Sequence, residues 1–177
     1  MIVKKLFSEF DEETIRKFVK TNADYYIEKW KSMADNDTIF SWNLSAFLFN
    51  IFWLNFRKMY IYSVLFSTIL FALLFLLPVS ENKNEHLEII ILTLFLGLLL
   101  IIGFIGNYLY ARYTYKTLTK YKFLLKDKDN LYVLSVMKGD TSLSALFIGL
   151  FIDLTVGLFL AMILVSIFKY FLGFLKW

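Results

Sequence analysis

Residues 59–78, 87–110 and 143–168 form three long apolar runs, and the only charges inside them are Glu88, at the start of the second, and Asp153, within the third. A helix needs about 20 consecutive apolar residues to cross the hydrocarbon core of a bilayer. A soluble chain interleaves apolar and charged residues at helical or strand period; separation into blocks belongs to membrane chains. The chain is 59% hydrophobic, against roughly 45–50% in ordinary soluble domains. The expected fold class is therefore an all-α integral membrane protein, with N-terminal amphipathic helices, one interfacial aromatic helix and three transmembrane helices.

The region 1–38 reads as cytoplasmic and amphipathic. Ser8 followed by Asp11 and Glu12 resembles an N-cap with an acidic first turn. Ile15, Phe18, Val19, Tyr26, Trp30 and Met33 share one face at helical spacing, and Asn22 can cap a second helix opening at Ala23. That face packs either on the protein itself or on a membrane surface, where Tyr, Trp and Lys suit the headgroup layer. Residues 34–38 read as a turn. No apolar stretch follows Lys4 and Lys5, so no cleavable signal peptide is expected.

Residues 39–58 are apolar and aromatic but short. Asn50 and Asn55 interrupt the stretch 44–56, and Trp42 and Trp53 suit interfacial depth. An interfacial or shallow re-entrant helix is expected there, with the membrane domain following at 59–177. Pro78 is expected to end the first span.

Basic residues near spans stay in the cytoplasm. The loop 79–88 holds Lys83 and three acids, whereas 111–142 holds seven basic residues, from Arg112 to Lys138. Arg57 and Lys58 precede the first span. The expected topology is a multi-pass protein of the cell (inner) membrane with a cytoplasmic N-terminus, 79–88 outside, 111–142 inside and the C-terminus outside. The basic segment 112–128 is expected to meet anionic lipid headgroups, and no nucleic acid is expected as a partner.

Asp153 is the costly residue, since a carboxylate at mid-span costs about 2.5–3.5 kcal/mol on insertion scales. Ala145, Gly149, Asp153, Gly157 and Ala161 are each four apart, a small-residue stripe that lets another helix approach closely. At 3.6 residues per turn such a stripe winds slowly around the helix. Three roles stand open for Asp153: a structural contact in a helix bundle, with Arg57 or Arg112 as charge partner; a proton- or cation-binding group; or a polar contact in a homo-oligomer. Gly97, Gly103 and Gly106, with Asn107, read as packing notches.

The absence of cysteine excludes disulfides, iron–sulfur clusters and Cys-type zinc sites. The single histidine, His86, lies in a polar loop and reads as solvated rather than as a metal ligand. No His-Glu-x-x-His, Gly-x-Ser-x-Gly, phosphate loop or dinucleotide fingerprint occurs. Lys138-Gly139-Asp140-Thr141-Ser142 reads as a turn and N-cap opening the third span. No catalytic residue, cofactor or metal is expected.

Asn22-Ala23-Asp24-Tyr25-Tyr26, then Ser41-Trp42-Asn43-Leu44-Ser45-Ala46-Phe47, then Arg57-Lys58-Met59-Tyr60, carry a resemblance. In them the chain is similar to a family of small bacterial inner-membrane proteins, domain of unknown function 2628. Gly106-Asn107-Tyr108 and the turn at 139–142 are similar to later features of that family. Two positions depart from its pattern: Asn50-Ile51 stands where Gly-Pro is frequent, and Phe56 where Tyr is. The resemblance implies a bacterial inner membrane and a similar topology, and no activity. The expected function is that of a non-enzymatic accessory or scaffold subunit acting by helix–helix contacts with itself or another membrane protein; the alternative is an oligomeric transporter or channel component using Asp153.

Overall fold

A computed structural model describes residues 1–80, 85–124 and 139–174, apart from the side chains of 77–80, 85, 87 and 171–174. The described residues are all helix, turn and short linkers. Three short helices open the chain: α1 (Ile2–Glu9), α2 (Glu12–Val19) and α3 (Ala23–Asp35). Asp11, not Ser8, caps α2, its carboxylate accepting from the Thr14 N–H at 2.7 Å; Ser8 lies inside α1. Glu12 and Glu13 in the first turn of α2, and Arg16 and Lys17 in its last, match the helix dipole. Lys20 and Asn22 take left-handed-side φ values of 48° and 60° and fold α3 back on α2.

The apolar face expected from the spacing is fully used. Ile15, Phe18, Val19, Tyr26, Trp30 and Met33 are all buried in one core with Tyr110, Ala111 and Leu118. Those last three belong to α6 (Glu85–Leu124), a single helix of 40 residues. The N-terminal helices therefore pack on the chain itself, clasping the C-terminal third of α6. Past Tyr110, where the second span is expected to end, the first part of the basic segment continues α6 without a break to Leu124.

α4 (Leu44–Phe56) is broken in its middle, where Asn50 has φ 30° and its Oδ1 accepts from the Ile51 N–H at 2.6 Å. Asn tolerates positive φ better than any β-branched or aromatic neighbour here would. Asn50 thus supplies the break at the position where the family pattern carries Gly-Pro. α5 (Tyr60–Ser80) follows, and runs through Pro78 rather than ending before it. The last leg is α7 (Leu143–Ile152), a π-helical turn (Asp153–Gly157) and α8 (Leu158–Phe174). Ser142 caps α7 by accepting from the Ala145 N–H at 3.2 Å. α5 and the α7–α8 leg run side by side in one direction, Ser63 and Ser67 facing Asp153 and Ser67 facing Gly157. α6 returns antiparallel to both.

Among the described residues two helical stretches are long and apolar enough to cross a membrane, Glu88–Leu124 and Leu143–Tyr170. This corrects the expected three. α5 is apolar over Tyr60–Leu76 among the described residues, a shorter run than either of those two.

Candidate functional site

The buried polar side chains gather in three layers along the bundle. The first lies where α4 begins. Asn43 caps α4 through the Ala46 N–H, and its Nδ2 donates to Asn107 Oδ1 at 2.8 Å. The Asn107 carbonyl in turn accepts from the Trp30 indole at 2.8 Å. The N–H groups of Ser41 and Asn43 donate to the carbonyls of Phe104 and Gly103, each of which has a second lone pair free of its own helix bond. This approach needs the glycines: a Cβ at Gly103 would meet the Trp42 ring at 2.9 Å, and one at Gly106 the Ala46 Cβ at 2.8 Å. The notches read from Gly103 and Gly106 are where α4 and its leading segment lie on α6, whereas nothing stands within 4 Å of a Cβ at Gly97.

The second layer is built on Arg57-Lys58-Met59-Tyr60. Lys58 has φ 59°, the Lys58 N–H donates to the Asn55 carbonyl and the Met59 N–H to the Leu54 carbonyl, both at 2.9 Å. This pair of bonds is the Schellman ending of a helix, and the buried Met59–Leu54 pair is its usual apolar companion. The turn aims Arg57 under the N-terminal helices. Its guanidinium donates to the carbonyls of Thr21 at 2.9 Å and Val19 at 3.3 Å, and to the Tyr110 hydroxyl at 3.2 Å. It lies over the rings of Tyr26 and Tyr110, 4.6 and 4.9 Å from their centres. The cation thus sits at the negative end of the α2 dipole and on two aromatic faces. Lys58 Nζ donates to the Gly139 carbonyl, and the Asp140 N–H to the Phe18 carbonyl at 2.7 Å. Asn22 and Arg57 share the rim of a cavity of about 260 Å³ with Tyr26 and Trp53.

The third layer holds Asp153, which is 2% exposed. Its Oδ2 accepts from Asn55 Nδ2 at 2.6 Å and from the Ser63 hydroxyl at 2.7 Å; its Oδ1 accepts from the Ser67 hydroxyl at 3.2 Å. Three donors from α4 and α5 therefore converge on one carboxylate in the π-helical turn. Arg57, weighed as its charge partner, is engaged in the second layer. Arg112 lines a groove at the basic end of the bundle, and no ion pair to Asp153 forms among the described residues. Ala145, Gly149, Asp153, Gly157 and Ala161 are all buried, as is Val165 beyond them. A period of four would drift around a 3.6-residue helix, and the wider turn at Asp153–Gly157 takes up part of that drift. The stripe is filled within the chain: a Cβ at Gly149 would overlap the Asn55 amide, and one at Gly157 would crowd the Ser67 hydroxyl.

The partners of Asp153 were not read from the sequence. Their signal was present: Ser63 and Ser67 are four apart in an apolar run, and Asn55 interrupts α4. Among the described residues no three His, Asp or Glu side chains gather in a way that could hold a metal. The layers join helices to one another.

These features define a class: among the described residues the fold is all helix, with two helices long and apolar enough to cross a membrane and a clasped N-terminal helical cap. A family model described as protein of unknown function (DUF2628) matches residues 9–116, and the chain belongs to that family. The match takes in α2, α3, α4, α5 and most of α6, so the first polar layer falls inside it, as does the second apart from Gly139 and Asp140, and the third contributes Asn55, Ser63 and Ser67 but not Asp153. No curated protein and no solved structure matches the chain.

Proposed function

We propose that this chain is a multi-pass protein of the bacterial inner membrane that acts through helix contacts, as a non-enzymatic accessory or scaffold subunit. The observation carrying this reading is the use made of its buried polar groups. Asn43, Asn107, Arg57 and Asp153 each bond to side chains or carbonyls of neighbouring helices in the same chain. Apolar side chains such as Leu94, Ile101, Phe147, Phe151 and Phe159 face outward. That is the pattern of a rigid body presented to lipid and to other helices. The cap, the end of α6 and the turn at Gly139 pack at one end, which supports a cytoplasmic N-terminus beside the basic segment, with α8 ending outside. Because α4 and α5 fill the small-residue stripe, a homo-oligomer or a different membrane partner would meet the bulky outer faces.

Carbonate-washed membranes should retain the chain, and mild detergent should release it with a partner, or a second copy, in fixed ratio. Purification as an inert monomer counts against the reading. A buried carboxylate that gathers three hydrogen-bond donors and, among the described residues, pairs with no Lys or Arg supports one alternative, transport in an oligomer. Proton- or cation-dependent flux into liposomes, abolished by Asp153→Asn, would establish it in place of the contact role.

A further inference from the structure

At the basic end of the bundle, α5 and α6 enclose a groove of about 610 Å³. Arg112, Lys116 and Lys120 line it, four residues apart along one face of α6, and Lys58 stands opposite. Like charges at that spacing repel, and a chain free to choose would alternate them. Elsewhere the protein does so: Arg16 pairs with Glu12 and Asp24, Lys17 with Glu13, Lys31 with Glu12 and Lys4 with Asp37. Among the described residues no acidic side chain lines the groove, and none of Arg112, Lys116 and Lys120 has an ion pair. Arg112 Nε is buried with no hydrogen-bond acceptor. A buried donor left unmet costs about 1–3 kcal/mol, so the site is short of an acceptor as well as a counter-charge.

The rest of the lining sets what kind of anion fits. Tyr60, Tyr62, Tyr113 and Tyr121 ring the cations, and Ile61 and Leu65 continue the wall along the apolar face of α5. Ile61 and Leu65 are 77% and 59% exposed, an open apolar track leading from the charged end toward the middle of the bundle. Tyrosines belong at headgroup depth, and guanidinium groups take phosphate through paired N–H bonds. We propose that this groove binds the phosphate of an anionic phospholipid headgroup against Arg112, Lys116 and Lys120, with an acyl chain along Ile61 and Leu65. The inference rests on the membrane reading above and narrows it from a general attraction of basic sequence to one bounded site.

The full-length protein in mild detergent is titrated with short-chain phosphatidylglycerol, with short-chain phosphatidylcholine and with inorganic phosphate, and bound lipid is counted by native mass spectrometry. The expected result is saturable binding of the first at least tenfold tighter than of the second. Lys116→Gln with Lys120→Gln, both exposed positions, lowers that affinity at least tenfold, and Arg112→Gln lowers it separately. A charge-matched control, Lys5→Gln with Lys29→Gln, leaves it within twofold. Equal binding of the two lipids, or equal loss in the control, overturns the site. Inorganic phosphate binding as tightly as phosphatidylglycerol overturns the assignment to a lipid. Carbonate extraction of membranes carrying the same variants separates the two readings: a variant that stays integral but loses the lipid tests the groove alone, whereas wild type washed out of membranes removes the membrane reading first.

Discussion

Asn55 and Asp153 stand 98 positions apart in the chain, and a hydrogen bond of 2.6 Å joins them across the α4–α7 junction. With Ser63 and Ser67 they tie three helices to one carboxylate. Asp153→Leu removes the acceptor from Asn55 and Ser63, while the Ser67 hydroxyl keeps the Val64 carbonyl at 3.1 Å as an alternative acceptor. Each orphaned donor costs about 1–3 kcal/mol, so this variant should lose several kcal/mol and accumulate poorly. Asp153→Asn keeps an acceptor and the volume, and should cost about 1–2 kcal/mol. Thermal unfolding in detergent, read beside membrane abundance, checks the order; a leucine variant as stable as the asparagine one would count against the cluster as a structural tie.

Glycine tolerance should sort by what stands opposite. A Cβ at Gly139 would run into the backbone carbonyl of Phe18, and one at Gly149 into the buried Asn55 amide, so alanine at either should cost about 1–3 kcal/mol. At Gly157 the obstacle is the Ser67 hydroxyl, 2.5 Å away, so Ser67→Ala should recover part of the loss caused by Gly157→Ala. Gly97→Ala meets nothing and should be neutral or stabilising, by up to about 1 kcal/mol of helix propensity. Melting of the five variants tests the series.

Arg57→Lys should behave as a disruptive change. A lysine keeps the charge but loses the planar contact with Tyr26 and Tyr110 and cannot reach the Thr21, Val19 and Tyr110 oxygens together. The expected cost is about 2 kcal/mol. It should appear as faster proteolysis within residues 1–38 before the rest of the chain is cut.

Asp140 gives a pH signature outside the apolar legs. Burial alone would raise its pKa, but the Thr141 N–H, the Thr21 hydroxyl and Lys20 together outweigh that and hold it below the ordinary 3.8. Its folded value is depressed, so its contribution is complete above the unfolded value and fades as pH falls through the folded one. Wild type should exceed Asp140→Asn in melting temperature by a constant margin above about pH 5, and the margin should shrink below 3.8. Asn tolerates the φ of 63° at this position, so the comparison isolates the charge.

Much of this arrangement is written in local patterns. The apolar face from Ile15 to Met33 obeys helical spacing and is buried as that spacing requires. Ser142 is a capping residue before an apolar run, and caps α7. The stripe from Ala145 to Ala161 marks a buried face because small residues matter only where something comes close. What a linear reading misses is pairing at long range. Nothing near Asn107 names Asn43 or Trp30, and nothing near Asp153 names Ser63, so a charge partner was sought among the arginines instead. The start of α2 was misplaced by one competing cap, since Ser8 and Asp11 both satisfy the local rule.

α6 has a consequence of its own. Its 40 residues make a rod of about 60 Å; on the membrane reading proposed above this is roughly twice the hydrocarbon thickness, with the cap clasped to the emergent portion. No joint separates the embedded part from the emergent part. Any lean the rod takes in a thinner or thicker bilayer is handed undiminished to the cap: a lean of about 10° carries a point about 20 Å beyond the surface sideways by about 3.5 Å. On that reading the cap's attitude to whatever lies beside it is set by the bilayer in which the rod is seated.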